Sequence, residues 1–299
     1  MDKYNSLNTD DKKHDDEFEG FLAKEEKEKE KITYESPIIY QYKQLVVATL
    51  DLLGITNEIL KIERNRNKKN DSKDKSSDNG NIDKESNENE LIEKMISIKN
   101  MITEIIGPSK IITMLYISDS FIFVCEKDDI ILLLKQLAVI QFRILSRWKT
   151  LLRGAIEFGG VTVEDSGKQI IGPAFLKAFK RQENEAIFPR ILLGNSVINI
   201  LNELSKNTKK NLIDEICITT RDKETSIDYI ECFMITEGKN KNHIIDIFNT
   251  NNIYDFLYVN LNEYNKKDEM NIRNKYAWTI KYLREKEVWK NGYNECENW

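Results

Sequence analysis

Hydrophobic positions along the chain fall into two rhythms, and the first clear one is the run Val46-Val47-Ala48-Thr49-Leu50, which ends on Asp51. After it come Leu52, Leu53, Gly54, Ile55 and Thr56, then the helical-looking Asn57-Glu58-Ile59-Leu60. A β-rich run that meets Gly and Thr before a helical segment predicts strand, tight turn, helix, with Asp51 at the strand's end. Leu91, Ile92, Met95, Ile96, Ile98 and Met101 give a helical face. Two β-rich arms, Ile111 to Ile117 and Phe121 to Cys125, flank Ser118-Asp119-Ser120 and predict a hairpin with a polar tip. Leu133, Leu137, Ile140, Ile144 and Trp148 recur at spacings of three and four and predict a helix, followed by a strand from Leu151 to Val163. Gln169 to Ala174 leads into a helix through Phe175, Ala178 and Phe179; a strand over Ile187 to Leu193 and a helix through Val197, Ile200 and Leu201 come next. Ile216 to Thr219 and Ile227 to Met234 read as strands, and Ile272, Tyr276, Ile280 and Leu283 mark a final amphipathic helix. Strands alternating with helices in this way predict helices over a single sheet, an α/β or α+β sandwich.

Two stretches break the rhythm. Residues 1–35 are nearly unbroken Asp, Glu and Lys, and read as a solvated, disordered tail. From about 62 to 90 a tract of Lys, Asn, Asp, Ser and Glu has no period and reads as a low-complexity insertion in a surface loop. The folded domain is therefore expected over 36–290.

Composition narrows the chemistry. With 299 residues and 40% hydrophobic content the chain can build a sizeable core. No run approaches the 18 or so apolar residues of a membrane helix and the first residues are charged, so the expectation is no membrane and a cytoplasmic location. The net charge of -5 argues against nucleic acid as the main partner. Cys125, Cys217, Cys232 and Cys296 form no C-x-x-C pair and read as reduced core thiols. With only His14 and His243 present, a histidine base or a Ser-His-Asp arrangement is disfavoured, leaving carboxylates, cations, backbone amides and metals to act.

Within those limits Asp51 and Asp119 stand out. If the hairpin pairs beside the Asp51 strand, two carboxylates converge at one edge of the sheet. Two hard-oxygen ligands that leave positions open for water and phosphates suit Mg²⁺ or Mn²⁺ in phosphoryl chemistry. The amides of Gly54, Ile55 and Thr56 would then be the unpaired N–H groups of a helix N-terminus, a place for phosphate. The plainer alternatives are that Asp51 caps a helix and that Asp119 is an ordinary turn aspartate.

Four segments taken in order, VVATLDLLGIT, YISDSFIFV, LLRGAIEFGG and KQIIGPAFLKAFK, followed by AIFPRILL, resemble the catalytic core of a class III nucleotidyl cyclase. More narrowly they resemble the bacterial anti-phage cyclases of the Pycsar type, which make cyclic UMP or cyclic CMP, and the Lys275-Tyr276-Ala277-Trp278 helix fits that branch. The resemblance covers about Val46 to Tyr282 outside the insertion. It implies an α+β fold with a ferredoxin-like βαββαβ core, and a head-to-tail homodimer whose active sites lie across the interface. It implies two divalent cations held by Asp51 and Asp119 with the carbonyl of Leu52, a pyrimidine nucleoside triphosphate as substrate, and Arg153 as the phosphate-binding arginine. Gln169 and the pair Leu115 and Tyr116 fall near base-recognition positions. Where purine cyclases carry an Asn and, four residues later, an Arg, this chain has Leu176 and Lys180, so Lys180 or its neighbour Arg181 is left to neutralise developing charge. Pro189 and Arg190 match a family segment as structural residues. The same features leave room for a purine cyclase or a cyclase-fold module that binds nucleotide without turnover. A diguanylate cyclase is disfavoured because Ser118-Asp119-Ser120 lacks the Gly-Gly-Asp/Glu-Glu-Phe tip.

Overall fold

The computed structural model describes residues 41–55, 58, 59, 63, 82–107, 112–163, 169–209, 211–264 and 269–289. The expected charged tail and most of the expected insertion lie outside these residues.

The first 13-residue strand, β1 (Gln41–Leu53), is central. Its even positions Val46, Ala48, Leu50 and Leu52 are buried in the main core, and its odd positions Leu45 and Val47 in a smaller one. This two-sided burial is why the run reads as nearly continuous apolar residues. Helix α1 (Ile82–Ile106) follows, then the hairpin of β2 (Ile112–Ile117) and β3 (Ser120–Cys125), helix α2 (Ile130–Trp148) and strand β4 (Leu151–Val163). The sheet order β2-β3-β1-β4, with every neighbouring pair antiparallel, is the ferredoxin-like βαββαβ arrangement. The fold is α+β, as expected. A one-residue slip of β1 would exchange its two faces, and burial of Leu50, Phe121 and Phe123 at about 1.5–3 kcal/mol each fixes the register against that.

Beyond β4 the chain adds β5 (Ile170–Ile171), helix α3 (Pro173–Asn184), β6 (Ile191–Leu193), helix α4 (Asn195–Thr208), a short helix α5 (Leu212–Ile216), β7 (Cys217–Thr219) and β8 (Thr225–Ile227). β6 lies parallel to β4, and β8 and β7 extend the sheet beyond it. Helices α6 (Tyr229–Glu237), α7 (Lys241–Thr250), α8 (Ile253–Glu263) and α9 (Met270–Glu285) close the described chain. α1, α2 and the C-terminal helices share the main core, while α3 contributes Ala174 and Phe175 to the smaller core on the opposite face of the sheet.

Four expectations need correction. Ile227 to Met234 is not one strand: β8 ends at Ile227, and the Asp228 side chain accepts the Glu231 amide at 3.3 Å to start α6. A short, mostly apolar run does not distinguish strand from buried helix, and the Asp-x-x-Glu cap was the overlooked signal. The strand placed over Ile187 to Leu193 is confined to Ile191–Leu193, with an exposed Ile187 and bends before it. Helical backbone begins at Ile82, inside the span read as insertion. On α1 the buried positions are Ile98, Met101, Ile102 and Ile106, whereas Ile92 and Ile96 are exposed.

Cys125, Cys217 and Cys232 are free and buried, and burial pushes their thiols up to about 12, 12 and 11. They behave as core groups rather than nucleophiles. No helix among the described residues is long and apolar enough to cross a membrane.

Candidate active site

Asp51 lies inside β1 rather than at its end, directly opposite Ser120 of β3 on one side and Arg153 of β4 on the other. Its carboxylate accepts a hydrogen bond from Arg153 Nε at 2.9 Å and, more weakly, from Ser120 Oγ at 3.5 Å. It therefore caps no helix. Arg153 and Asp51 are 21% and 16% exposed, so the pair is half-way between a surface and a buried ion pair.

Asp119 occupies the hairpin tip after Ser118, whose φ of 56° makes the turn. The Leu52 amide donates to the Asp119 carbonyl at 3.1 Å and ties the tip to the strand carrying Asp51. The N–H and C=O of a strand residue point the same way, so the Leu52 carbonyl also faces the tip. Burial pushes the Asp51 carboxyl above the usual carboxylate range; Arg153 opposes this, and the Asp119 charge adds to it. Two carboxylates near enough to repel one another, with an adjoining backbone carbonyl, form a hard-oxygen set that fits Mg²⁺ or Mn²⁺. No cluster of three or more His, Cys, Asp or Glu suited to a metal occurs among the described residues, so water and substrate oxygens would complete the coordination.

At the strand's end Gly54 adopts φ 97°, a left-handed conformation that favours glycine. Its carbonyl accepts the Glu58 amide at 3.1 Å, which opens the first helical turn after the strand. The Ile55 side chain is buried, and the Gly54 and Ile55 amides lie at that helix start. Thr56 lies outside the described residues.

One charged member was missed. Lys275 of α9 is largely buried, and its ammonium is held below the usual lysine range by burial first and then by the like charge of Arg153, with Asp51 pulling it up. The site thus combines two carboxylates, Asp51 and Asp119, with two cations, Arg153 and Lys275. The signal was present: Lys275, Thr279 and Leu283 form an i, i+4, i+8 stripe, and the last two are buried. A lysine on a core-facing stripe invites a search for its partner.

Other predicted residues are placed elsewhere. Tyr116 lies on the helix-covered face, its ring 4.8 Å from that of Phe121, and packs against the main core; Leu115 faces the other way. Gln169 is exposed and precedes β5, whose Ile170 pairs with Val163 at the far end of β4 from Arg153. Ten residues separate Arg153 from Val163, which at about 3.3 Å per residue puts Gln169 some 33 Å along the sheet from Asp51. Lys180 is exposed on α3, close to Arg181, which donates to Glu157 at 3.3 Å and to Glu224 at 2.6 Å and is 3.0 Å from Glu185. Arg181 is committed to structure, which leaves Lys180 as the exposed cation of the pair. Leu176 is exposed one turn before it.

Compared with known families and with curated proteins, the sequence matches none. Among solved structures it is similar to the adenylyl cyclase CyaB from P. aeruginosa, at 14% identity and TM-score 0.41 over 64% of this chain and 94% of that one. A bacterial light-regulated adenylyl cyclase is similar at 12% identity and TM-score 0.42, over 68% of this chain and 59% of that one. A dimeric guanylyl cyclase domain of the RhoGC fusion protein from the aquatic fungus Blastocladiella emersonii is similar at 11% identity and TM-score 0.38, over 63% and 96%. At these scores the likenesses carry no argument about activity, which rests on the site.

Proposed function

We propose that the chain is a nucleotidyl cyclase that converts a nucleoside triphosphate to its 3′,5′-cyclic monophosphate and pyrophosphate. The observation that carries this reading is the meeting of Asp51, Asp119 and Arg153 from β1, the hairpin tip and β4, beside the helix start at Gly54. Asp51, Asp119 and the Leu52 carbonyl would hold the divalent ions. When bound, these supply Lewis-acid activation of the 3′-hydroxyl and neutralise charge on the triphosphate. Arg153 turns its planar fork from Asp51 toward phosphate oxygens, and Lys275 adds a second positive charge near enough to interact with both. The Gly54 and Ile55 amides donate to the phosphates. The pair of cations stabilises the charge that builds up on the departing pyrophosphate.

The 33 Å between Asp51 and Gln169 supports a head-to-tail homodimer in which one chain gives Asp51, Asp119 and Arg153 and its partner gives Gln169 and Lys180. Ile117, beside the hairpin tip and on the sheet face that carries Asp51, is an apolar group that one chain leaves 61% exposed. The base is read as a pyrimidine, uracil or cytosine, and the role as a messenger synthase in anti-phage defence, from the resemblance of the motifs. With Tyr116 turned away, Leu115 and Gln169 remain to contact the base.

A second reading, nucleotide binding without turnover, is favoured by the commitment of Arg181 to three carboxylates. Pyrophosphate release from each of the four nucleoside triphosphates with Mn²⁺ separates the two. Release with one or more of them supports the cyclase. Tight binding with no release from any of the four supports the second reading.

A further inference from the structure

A cavity of about 240 Å³ opens between the Phe188-to-Arg190 segment, the β7–β8 turn and α9, outside the residues assigned above. Its walls are aromatic and set in place. The rings of Phe188 and Trp278 are nearly parallel, 10° apart with centroids 5.9 Å apart, and Trp278 lies parallel to Tyr282 in turn. Arg190, almost wholly buried, lays its guanidinium over both Phe188 and Trp278. It is held there by Thr220 Oγ1 at 2.6 Å and by both carboxylate oxygens of Asp222. The Arg190 charge is thereby cancelled within the protein.

The rim is different. Arg221 and Lys281 line the cavity and have no hydrogen-bond or ion-pair partner among the described residues; the one unpaired carboxylate there is Glu285, four residues beyond Lys281 on α9. The unpaired groups leave a surplus of one positive charge over a slot walled by the aromatic side chains Phe188, Trp278 and Tyr282. The volume is below the ~300–1,000 Å³ of pockets for drug-sized ligands, so it suits one ring with a short arm.

We propose that this cavity binds a small planar anion, a single aromatic ring or base bearing one phosphate or carboxylate, with the ring against Trp278 and Phe188 and the anion at Arg221 and Lys281. The walls are joined to elements of the candidate active site: the Arg190 carbonyl accepts the Gly154 amide at 3.0 Å, next to Arg153, and Trp278 lies one turn beyond Lys275. Occupancy would thus bear on the strand and helix that carry both cations, although the binding claim does not depend on the cyclase reading.

The test uses the full-length chain with UMP, AMP and benzoate as probes, against the uncharged uridine, adenosine and benzamide. At least one anion is expected to quench tryptophan fluorescence saturably and to bind at least tenfold tighter than its uncharged counterpart. A nucleoside monophosphate or benzoate as the tighter ligand distinguishes the phosphate from the carboxylate source. Arg221→Glu with Lys281→Glu should weaken binding at least tenfold, while Asp51→Asn should change it less than threefold. Trp278→Phe should abolish the quench while calorimetry still detects binding. The proposal is overturned if none of the three anions binds saturably in calorimetry, or if charge reversal at the rim has no effect. It also fails if Asp51→Asn abolishes binding, or if Trp278→Phe leaves the quench intact. If the double charge reversal misfolds by circular dichroism, Arg221→Gln with Lys281→Gln carries the same expectation.

Discussion

Replacing Arg153 with Ala separates two roles of the Asp51–Arg153 pair. In the free chain Arg153 compensates a carboxylate that is mostly buried and also repelled by Asp119. Exposed ion pairs contribute about 0–1 kcal/mol, and breaking a fully buried one costs about 3–5 kcal/mol, so at 16–21% exposure the loss is about 2 kcal/mol. For a domain of this size that lowers Tm by about 4–8 °C. If Asp51 is a metal carboxylate as proposed, the guanidinium also covers the oxygen that a divalent ion would take. In the wild type an ion must displace Arg153 from Asp51, and in Arg153→Ala it need not. Saturating Mn²⁺ should therefore raise the Tm of Arg153→Ala by more than it raises that of the wild type, recovering most of the lost stability, since ligand at a hundredfold over its Kd stabilises by about 2.7 kcal/mol. The assay is a thermal melt of both proteins with and without Mn²⁺. An equal or smaller Mn²⁺ effect on the variant would refute the view that Asp51 is a metal carboxylate masked by Arg153.

Gly154→Ala would place a Cβ 2.5 Å from the Thr49 carbonyl and against Leu50, so β1 and β4 must part beside Arg153; overpacking of about 1–3 kcal/mol is expected by urea unfolding, together with loss of triphosphate binding. Asp228→Ala removes the cap of α6 and leaves the Tyr282 hydroxyl, now 2.6 Å from Asp228, and the Lys286 ammonium without their acceptor; a loss of about 3 kcal/mol should appear in the same assay, and an unchanged midpoint would contradict the network. Arg190 and Thr220 hold the Asp222 carboxyl well below the usual carboxylate range, so its stabilisation is present above the unfolded value of about 3.9 and fades as pH falls through the lower folded value. The stability gap between wild type and Asp222→Asn should be present at neutral pH and narrow in acid below about pH 4. Asp51→Ala and Lys180→Ala chains, each inactive alone, should regain cyclase activity when mixed and allowed to exchange, and no recovery would remove the cross-subunit assignment.

The part of the fold written in alternating or helical periods was legible: β1, the β2–β3 hairpin, α2, β4 and α9 lie where the pattern of Val46 to Leu50, Phe121 to Cys125 and Leu133 to Trp148 puts them. Failures came where period carries no information. From Ile227 to Met234 every position but Asp228, Glu231 and Cys232 is a bulky apolar group or tyrosine, and what turns strand into helix is a single side-chain cap at Asp228. Helices α7 and α8 escaped notice because their buried faces, Ile244 with Phe248 and Ile253 with Leu257, are interleaved with Asn and Asp that read as loop. At the site, Asp51 and Asp119 could be picked out as chemistry and Arg153 by its motif, but their meeting is a matter of register. Asp51 faces Arg153 because Leu53 pairs with Leu151 and every pair behind it follows. The stripe of Lys275, Thr279 and Leu283 marks Lys275 as facing inward but does not name its partner, since 122 residues separate it from Arg153 and only packing of α9 brings them together. Tyr116 shows the reverse case: one step along β2 decides between the helix-covered face and the open one.

The most direct test is product analysis. The full chain is incubated with each of ATP, GTP, UTP and CTP plus Mn²⁺, beside Asp51→Ala and Asp119→Ala, and products are identified by mass spectrometry. The account predicts a 3′,5′-cyclic mononucleotide with an equal amount of pyrophosphate from the wild type, with UTP or CTP the best substrate, and neither product from either variant. No cyclic product from any nucleotide, or undiminished product from Asp119→Ala, would contradict it.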